Sequence, residues 1–222
     1  MYRAFLFDLD GTLAETDSLH LPTWVEVLEP RGIEVDEQFY REHISGKSRA
    51  DVVRDLLPDL SDEEGRAIFE AKEASFRERV GELEPLPGLL DFLHEIRARG
   101  LKTGLVTNAP VENVEAILPA LKLQDFFDTI VLSDQTGAVK PDSAPYREAL
   151  KRLGVFPEEA VAFEDSASGI SSSIGAGVPT VGIASTQEPD QLRKTGVFTV
   201  VEDFTDLDLR GLVGGDGSRG RV

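Results

Sequence analysis

Short apolar segments that alternate with amphipathic helical segments constrain the fold of this chain most strongly. The apolar segments are Ala4–Phe7, Thr103–Thr107, Thr129–Leu132, Ala160–Phe163, Thr180–Ile183 and Phe198–Val201. Between most of them lie residues with helical spacing, such as Leu89–Gly100, where the final glycine is a typical helix stop. This alternation predicts an α/β fold, in which a parallel sheet carries helices on both faces.

One long segment, residues 15–86, interrupts this alternation and is called the insertion below. It contains no strand pattern, but it has several amphipathic helical segments, for example residues 63–80. The segment Pro85–Gly88 then marks a rigid turn, after which the sheet pattern resumes. We therefore expect an α/β core domain (residues 1–14 and 87–213), an inserted helical cap domain (15–86) and a disordered tail (214–222).

The charge of the chain limits its partners. Lysine and arginine number 23 against 41 acidic residues, which gives a formal net charge of -18. This charge repels nucleic acids and anionic lipids, so no nucleic-acid or membrane partner is expected, and a phosphorylated ligand would need local cations. The absence of cysteine excludes disulfides and thiolate sites, and with only a short apolar stretch at the N-terminus it favours a cytoplasmic location.

Polar side chains suited to a cation and a phosphate follow several of the predicted strands. Asp8 and Asp10 lie two residues apart, so their carboxylates project to the same side, and such a pair favours a divalent cation. The later candidates are Thr107, Asn108, Lys140, Glu164 and Asp165. Parallel strands bind ligands beyond their carboxyl ends, so these groups predict one shared site. Taken singly, each also fits an ordinary helix cap, surface lysine or loop acid.

Four ordered motifs give the chain a resemblance to the haloacid dehalogenase superfamily, in the branch with a helical cap after the first strand. The motifs are Phe7–Leu13, Val106–Asn108, Val139–Pro141 and Phe163–Ile170. The resemblance covers nearly the whole chain except the tail. It implies a Rossmann-like parallel sheet core with an inserted helical cap, and it assigns a role to each strand-end residue.

The resemblance implies phosphoryl transfer through a covalent aspartyl-phosphate. Asp8 would attack phosphorus, and Asp10 would protonate the leaving oxygen and later activate a water. The implied Mg²⁺ ligands are Asp8, the main-chain carbonyl of Asp10, Glu164 and Asp165. Thr107, Asn108 and Lys140 would hold the phosphoryl oxygens, and Lys140 would also offset negative charge.

The insertion resembles the cap of β-phosphoglucomutases and of related sugar-phosphate phosphatases. In that comparison the residues that reach the substrate or the proton-transfer groups are His20, Gly46, Lys47, Arg49 and Lys72. Structural roles are equally compatible with the sequence for two of them: capping or packing for His20, and a solvated helix face for Lys72. Trp24, in the same segment, is more typical of a core residue than of a substrate contact.

We expect a Mg²⁺-dependent phosphatase, a monomer or weak homodimer, that acts on a small phosphorylated metabolite of the sugar-phosphate or phosphoglycolate type. Asp10 argues against dehalogenase activity. Carbon–halogen cleavage has no alkoxide leaving group to protonate, and the dehalogenases that this motif resembles lack the second acid. Thr107-Asn108 is more typical of phosphatases than of mutases, although a β-phosphoglucomutase-type mutase is the main alternative. A signalling receiver domain is less favoured, because receivers carry the phosphate-accepting aspartate on a middle strand and lack such an insertion.

Overall fold

One parallel sheet forms the centre of the molecule. The computed structural model describes residues 1–45, 47, 49–206 and 208–214, with only the backbone described for residues 49 and 50. The strands are β1 (Ala4–Phe7), β2 (Lys102–Thr107), β3 (Thr129–Leu132), β4 (Ala160–Glu164), β5 (Thr180–Ile183) and β6 (Thr199–Val201). Their order across the sheet is β3-β2-β1-β4-β5-β6, and all neighbours are parallel. The predicted α/β fold is confirmed.

The central strand β1 is apolar throughout because both of its faces are covered. Phe5 and Phe7 belong to the core on one side of the sheet, where Phe92 packs edge-on against Phe5. Ala4 and Leu6 belong to the core on the other side. All four strand residues are fully buried. This explains why the sequence of β1 shows a continuous apolar run rather than an alternating one.

Helices connect the strands and cover both faces of the sheet. In the insertion they are α1 (Asp17–Leu28), α2 (Glu37–His43), α3 (Arg49–Leu56) and α4 (Asp62–Arg79). Those that follow are α5 (Leu89–Ala98), α6 (Val111–Ala120), α7 (Ala144–Leu153), α8 (Ala167–Gly175), α9 (Pro189–Leu192) and α10 (Asp208–Gly214). Helix α4 begins at a capping box, in which Ser61 and Glu64 each bond to the main chain of the other. The predicted helix over residues 63–80 agrees with α4 to within one residue.

The insertion has a hydrophobic cluster of its own. This cluster includes Trp24, Leu28, Tyr40 and Ile68, and it is separate from the two clusters on the sheet. Trp24 is therefore a core residue, as expected. We propose that residues 15–86 form a cap domain, and this separate core supports that division.

The chain enters and leaves the insertion at neighbouring points. Ala14 forms β-bridges with both Asp10 and Pro85, and the main-chain N–H of Leu86 donates to the carbonyl of Leu13 at 2.8 Å. The two connecting segments therefore lie side by side next to the end of β1.

The C-terminal prediction concerns residues that are mostly outside the described ranges. Gly214 is the last residue of α10 rather than part of a tail, and residues 215–222 lie outside the described part of the chain. Among the helices that are described, none combines the length and the apolar sequence that crossing a lipid bilayer requires.

Candidate active site

Three carboxylates from two neighbouring strands meet at the carboxyl edge of the sheet. Asp8 follows β1, Glu164 is the last residue of β4, and Asp165 comes next. Because β1 and β4 pair in parallel, with Phe7 opposite Phe163, the ends of these strands are adjacent. One oxygen atom from each acid lies within 4.8 Å of the others, and all three acids are buried. The structure thus brings together three of the predicted metal ligands.

Lys140 places a positive charge inside this acidic cluster. Its ammonium group donates to Asp8 Oδ1 at 2.6 Å, to Glu164 Oε1 at 2.6 Å and to the carbonyl of Val106 at 2.7 Å. An ammonium has three N–H donors, so the protein uses all of them. Here Lys140 holds Asp8 in place and offsets its charge. The predicted contact between Lys140 and a phosphoryl group stays a prediction.

Burial dominates the ionisation of this cluster. Burial raises the pKa of Asp8 to about 7, although the Lys140 ammonium lowers it, and the charge of Glu164 adds to the rise. Burial and then the charges of Asp8 and Glu164 raise the pKa of Asp165 well above its usual range. For Lys140, burial alone would lower the pKa, but Asp8 and Glu164 hold it above its ordinary value. Asp8 and Asp165 therefore keep their protons to a higher pH than ordinary carboxyl groups do.

The donor set of this cluster fits a divalent cation. Glu164 Oε2 and Asp165 Oδ1 are buried atoms without a hydrogen-bond partner among the described residues. If all three acids are ionised, Lys140 cancels only one of three negative charges. Two remaining charges and unpaired carboxylate oxygens are what a hard cation such as Mg²⁺ binds in proteins. The buried acidic cluster therefore fits metal binding.

Two side chains that orient these acids were missed by sequence reasoning. The hydroxyl of Tyr146, on α7, donates to Glu164 Oε1 at 2.6 Å. The hydroxyl of Thr186, after β5, donates to Asp165 Oδ2 at 2.5 Å. Each residue belongs to a different element from the acid it contacts, so local sequence patterns carry no signal of the pairing. Because these donors occupy one oxygen of each acid, the other oxygen is left free.

Two glycines allow the main chain to pass close to the acids. Gly11 has φ +73°, and a Cβ atom there would overlap the carboxylate of Asp165. This left-handed backbone conformation, together with the lack of room for a Cβ atom, requires glycine at this position. Gly169, in the first turn of α8, has no room for a Cβ atom because the Glu164 carboxylate occupies that space.

Gly169→Ala is expected to lower the free energy of unfolding by about 1–3 kcal/mol, the usual cost of overpacking. The added methyl group must displace Glu164, whose other oxygen is fixed by Lys140 and Tyr146. Gly175→Ala, on the same helix, is the matched control, because its Cβ would meet only Ser143 at 3.4 Å. That control should be neutral or more stable by up to about 1 kcal/mol. Equal urea-unfolding free energies for the two variants would contradict the prediction.

The Asp10 carboxylate contacts side chains of the insertion. Its Oδ1 accepts a hydrogen bond from the Thr16 hydroxyl at 2.9 Å and lies 3.5 Å from His20 Nε2. Burial would raise the pKa of Asp10, but His20, Thr16 and the charge of Lys72 together hold it below its ordinary value. Asp10 is therefore ionised at neutral pH and suited to act as a base. The negative charge of an arriving phosphate favours its protonation, which the acid step requires. The use of its main-chain carbonyl as a metal ligand stays a prediction.

Lys72 is buried, so the interpretation that it lies on a solvated helix face is wrong. Only 2% of the residue is exposed. Its ammonium group lies 2.6 Å from His20 Nδ1 and donates to Glu73 Oε1 at 3.0 Å. The ring of His20 stacks on Phe76 with the centroids 4.2 Å apart. His20 therefore both packs within the insertion and reaches Asp10, which combines the two roles left open by the sequence.

Thr107 and Asn108, at the end of β2, form hydrogen bonds with neighbouring main-chain groups. The Thr107 hydroxyl accepts from the main-chain N–H of Ala109 at 2.9 Å. The Asn108 amide accepts from the main-chain N–H of Lys140 at 3.1 Å and donates to its carbonyl at 3.3 Å. Asn108 thereby fixes the loop that carries Lys140. The predicted phosphate contacts of both side chains stay predictions.

The remaining insertion candidates are only partly described. Lys47 lines the cleft beside the acids and lies 3.8 Å from Asp55 Oδ2. Gly46 lies outside the described residues. Arg49 is the first residue of α3, and its side chain is not among the described ones. Their predicted contacts with substrate stay predictions.

The acids open into a cleft between the sheet edge and the insertion. Its volume is about 1960 Å³. Asp8, Asp10 and Lys140 line one side, and residues of the insertion, including Trp24 and Lys72, line the other. Pockets for small molecules usually measure about 300–1,000 Å³, so this cleft has ample room for a small phosphorylated ligand.

Comparisons with known proteins agree with this geometry. A family model described as haloacid dehalogenase-like hydrolase matches residues 5–183. The chain is 35% identical over 221 residues to the protein CbbY of Cereibacter sphaeroides, covering 94% of this chain and 90% of that protein. It is 31% identical over 181 residues to the phosphorylated carbohydrates phosphatase of Thermotoga maritima, covering 81% and 83% of the two chains.

Solved structures extend the likeness to the arrangement of the whole chain. A crystal structure of a CbbY mutant from Rhodobacter sphaeroides in complex with xylulose-(1,5)bisphosphate has a TM-score of 0.83 and 29% sequence identity. The match covers 93% of this chain and 96% of that one. It therefore extends over both the sheet and the insertion, and the resemblance expected from the four motifs is confirmed.

Proposed function

Because this chain belongs to the haloacid dehalogenase-like hydrolase family and is a phosphoric monoester hydrolase, we propose that it is a Mg²⁺-dependent phosphatase of a small phosphorylated sugar. The observation that carries the proposal is the position of Asp8. It is held by Lys140 within a buried acidic cluster that opens into the cleft. A nucleophile, a fixed cation and a metal site in one cleft are what phosphoryl transfer from a dianionic ester needs.

Asp8, Glu164 and Asp165 would hold the metal ion. When bound, Mg²⁺ supplies positive charge next to the phosphoryl oxygens and to Asp8. The contacts of Tyr146 and Thr186 keep the two later acids oriented, so the site needs little rearrangement when the ion binds.

Asp8 and Asp10 divide the proposed reaction between them. In the first step an oxygen of Asp8 forms a bond to phosphorus while the phosphorus–oxygen bond to the sugar breaks, and Asp10 gives its proton to the leaving oxygen. In the second step Asp10 takes a proton from a water molecule, whose oxygen bonds to phosphorus as the bond to Asp8 breaks. The lowered pKa of Asp10 suits this second step. Lys140 keeps Asp8 in position throughout.

The similarity to named relatives supports a sugar phosphate as the substrate. One relative is a phosphorylated carbohydrates phosphatase, and the CbbY mutant was solved with a sugar bisphosphate. The cleft has the room for a sugar ring between the sheet edge and the insertion. The acidic surface does not exclude such an anion, because positive charge is provided locally.

Magnesium is expected to raise the thermal unfolding midpoint more at pH 8 than at pH 6. The raised pKa values of Asp8, about 7, and of Asp165 mean that protons occupy the cluster at pH 6 and must leave before the ion binds. Below pH 7 the apparent affinity should fall by about tenfold per pH unit for each proton displaced. Asp165→Asn should reduce the shift at both pH values. Equal shifts for the native protein at pH 6 and pH 8 would contradict the proposed metal site.

A panel of phosphate esters tests the proposed function directly. Sugar monophosphates, sugar bisphosphates, phosphoglycolate and nucleotides are incubated with the protein, with Mg²⁺ or with a chelator, and free phosphate is measured. Sugar phosphates should be hydrolysed with a kcat/KM at least about tenfold above that for nucleotides, and only with Mg²⁺. Release from none of them would overturn the proposal. Conversion of β-glucose 1-phosphate to glucose 6-phosphate, with a trace of the 1,6-bisphosphate and no free phosphate, would indicate a mutase instead.

A further inference from the structure

A buried hydrogen bond joins the insertion to the core between two residues that are not members of the acidic cluster. Asn113, on α6, donates from Nδ2 to Glu73 Oε2, on α4, at 2.6 Å. Asn113 is 2% exposed and Glu73 is 5% exposed. A buried hydrogen bond to a charged carboxylate is among the stronger polar contacts in proteins. The phosphoryl-transfer chemistry described above does not require either residue.

The orientation of the Asn113 amide is fixed by its two partners. Arg77 Nη1 donates to Asn113 Oδ1 at 3.1 Å, and the guanidinium group can only donate. The carboxylate of Glu73 can only accept, so it takes the amide N–H. Asparagine therefore satisfies a donor and an acceptor of α4 at once, which neither leucine nor aspartate would do.

The other oxygen of Glu73 continues the connection towards Asp10. Glu73 Oε1 accepts from Lys72 Nζ at 3.0 Å, and Lys72 Nζ lies 2.6 Å from His20 Nδ1. His20 Nε2 in turn lies 3.5 Å from Asp10 Oδ1. An ammonium group can only donate, so Nδ1 accepts and a neutral His20 ring carries its proton on Nε2, facing Asp10. One series of contacts thus runs from α6 of the core, through the insertion, to Asp10.

Glu73 determines where the Lys72 ammonium lies. Lys72 is surrounded by aromatic rings, with its Nζ 5.5 Å from the Trp24 centroid and 5.3 Å from that of Phe76. In such surroundings a buried ammonium requires a carboxylate partner. Glu73 is that partner, and Asn113 holds Glu73 from the core side.

We infer that Asn113 and Glu73 are positioning residues, which fix Lys72 and His20 against Asp10 only while α4 of the insertion is seated on α6 of the core. The inference rests on the proposed function, because it assigns the proton transfer to Asp10. Movement of the insertion away from α6 breaks the Asn113–Glu73 bond. The proton-transferring carboxylate is then fully oriented only when the insertion covers the cleft.

Exchanging the amide of Asn113 and the carboxylate of Glu73 tests this inference. In Asn113→Asp two carboxylates face each other, and in Glu73→Gln two amide N–H groups compete for the same contact. The double variant Glu73→Gln/Asn113→Asp restores the hydrogen bond between α4 and α6 with donor and acceptor reversed. The introduced glutamine amide would donate to the introduced aspartate, whose carboxylate would still accept from Arg77. Glu115→Gln, on an exposed position of α6, is the matched control for loss of a carboxylate.

The first readout is release of the leaving alcohol in a single turnover, compared between an alkyl phosphate and dinitrophenyl phosphate. Dinitrophenolate leaves without a proton, so only the alkyl ester depends on proton donation by Asp10. Each single variant should slow the alkyl ester about 10–100-fold, part of the usual 10²–10⁴-fold contribution of a general acid, and slow the dinitrophenyl ester less than about threefold. Glu115→Gln should be close to the native protein. The double variant should recover part of the lost rate but not all of it, because the glutamine oxygen at position 73 accepts from Lys72 without the charge of a carboxylate. Equal losses with both esters, or a double variant no faster than the singles, would overturn the inference.

The second readout does not require activity. The chain has three histidines, so the ¹⁵N NMR signals of the His20 ring can be assigned with a His20→Gln reference. The native protein should show one tautomer with the proton on Nε2, the single variants should show a mixture, and the double variant should shift back towards the native tautomer. An unchanged tautomer in the single variants would overturn the inference even if the protein proved not to be a phosphatase.

Discussion

Asp8→Asn is expected to abolish phosphate release from every substrate, with a loss of roughly a thousandfold or more. The substitution keeps the shape of the side chain, but a carboxamide cannot form the covalent bond to phosphorus. The native protein, quenched with acid during turnover of a ³²P-labelled sugar phosphate, should retain label that hydroxylamine removes. The variant should retain none.

Asp91→Asn provides the control for the Asp8 substitution. Asp91 is exposed on α5, so the same change of side chain there should leave phosphate release unaltered. If Asp8→Asn kept more than a tenth of the native rate, Asp8 would not be the nucleophile, and the proposed mechanism would be wrong.

Lys140→Met is expected to lower the free energy of unfolding by about 3–5 kcal/mol in the presence of a chelator, the usual cost of breaking a buried ion pair. Asp8 and Glu164 both lie 2.6 Å from the lysine Nζ, and without it they stay buried with no cation. Phosphate release should be lost as well, since the position of Asp8 depends on this contact. Urea unfolding with and without Mg²⁺ measures the first effect, and part of the stability should return with the metal.

The pH dependence of the Lys140 effect follows from the acids around it. The pKa of Lys140 is raised, so its ammonium contributes fully throughout the range from pH 5 to pH 8. Asp8 has its pKa raised from 3.8 to about 7, so ionising it costs the folded protein stability as the pH rises through this interval. Without Lys140 that cost grows, and the variant should lose more stability at pH 8 than at pH 5.

Lys151→Met is the matched control for Lys140→Met. The Lys151 side chain is 79% exposed on α7, and its removal should change the free energy of unfolding by no more than about 0.5 kcal/mol. A loss below about 1 kcal/mol for Lys140→Met would mean that the buried contacts do not stabilise the cluster.

The sheet was predictable because its central strands are buried on both faces. Residues such as Phe5 and Leu6 form continuous apolar runs, and polar turns end each run. The convergence of Asp8 with Glu164 and Asp165 followed from the same pattern, since parallel strands end at one edge. Strand ends alone could not show how each side chain is oriented. Asp10 and Asn108 bond to other partners instead of lying in the acidic cluster.

The burial of Lys72 could be predicted from residue spacing, although the positive charge of its side chain is more typical of an exposed position. Ile68, Lys72 and Phe76 are spaced four residues apart, which puts the lysine on the apolar face of α4. By contrast, Asn113 pairs with Glu73, 40 residues away, across two elements. Nothing in the local sequence distinguishes Asn113 from a solvent-exposed helix residue. Contacts of this kind depend on how the insertion packs against the core, and residue spacing along the chain does not determine this packing.

The two segments that connect the insertion to the core, at Ala14 and Leu86, lie side by side, so the insertion can change in sequence while the acids at the sheet edge do not. Both connecting segments leave the sheet edge at the same place. The helices between them can therefore be lengthened or shortened without changing the path of the core chain that carries Asp8 and Lys140. A lineage with this layout can acquire a new substrate by altering one contiguous stretch of its gene. Asp8, Lys140, Glu164 and Asp165 lie outside the insertion and stay in place, whereas His20 and Lys72 must be kept because they orient Asp10.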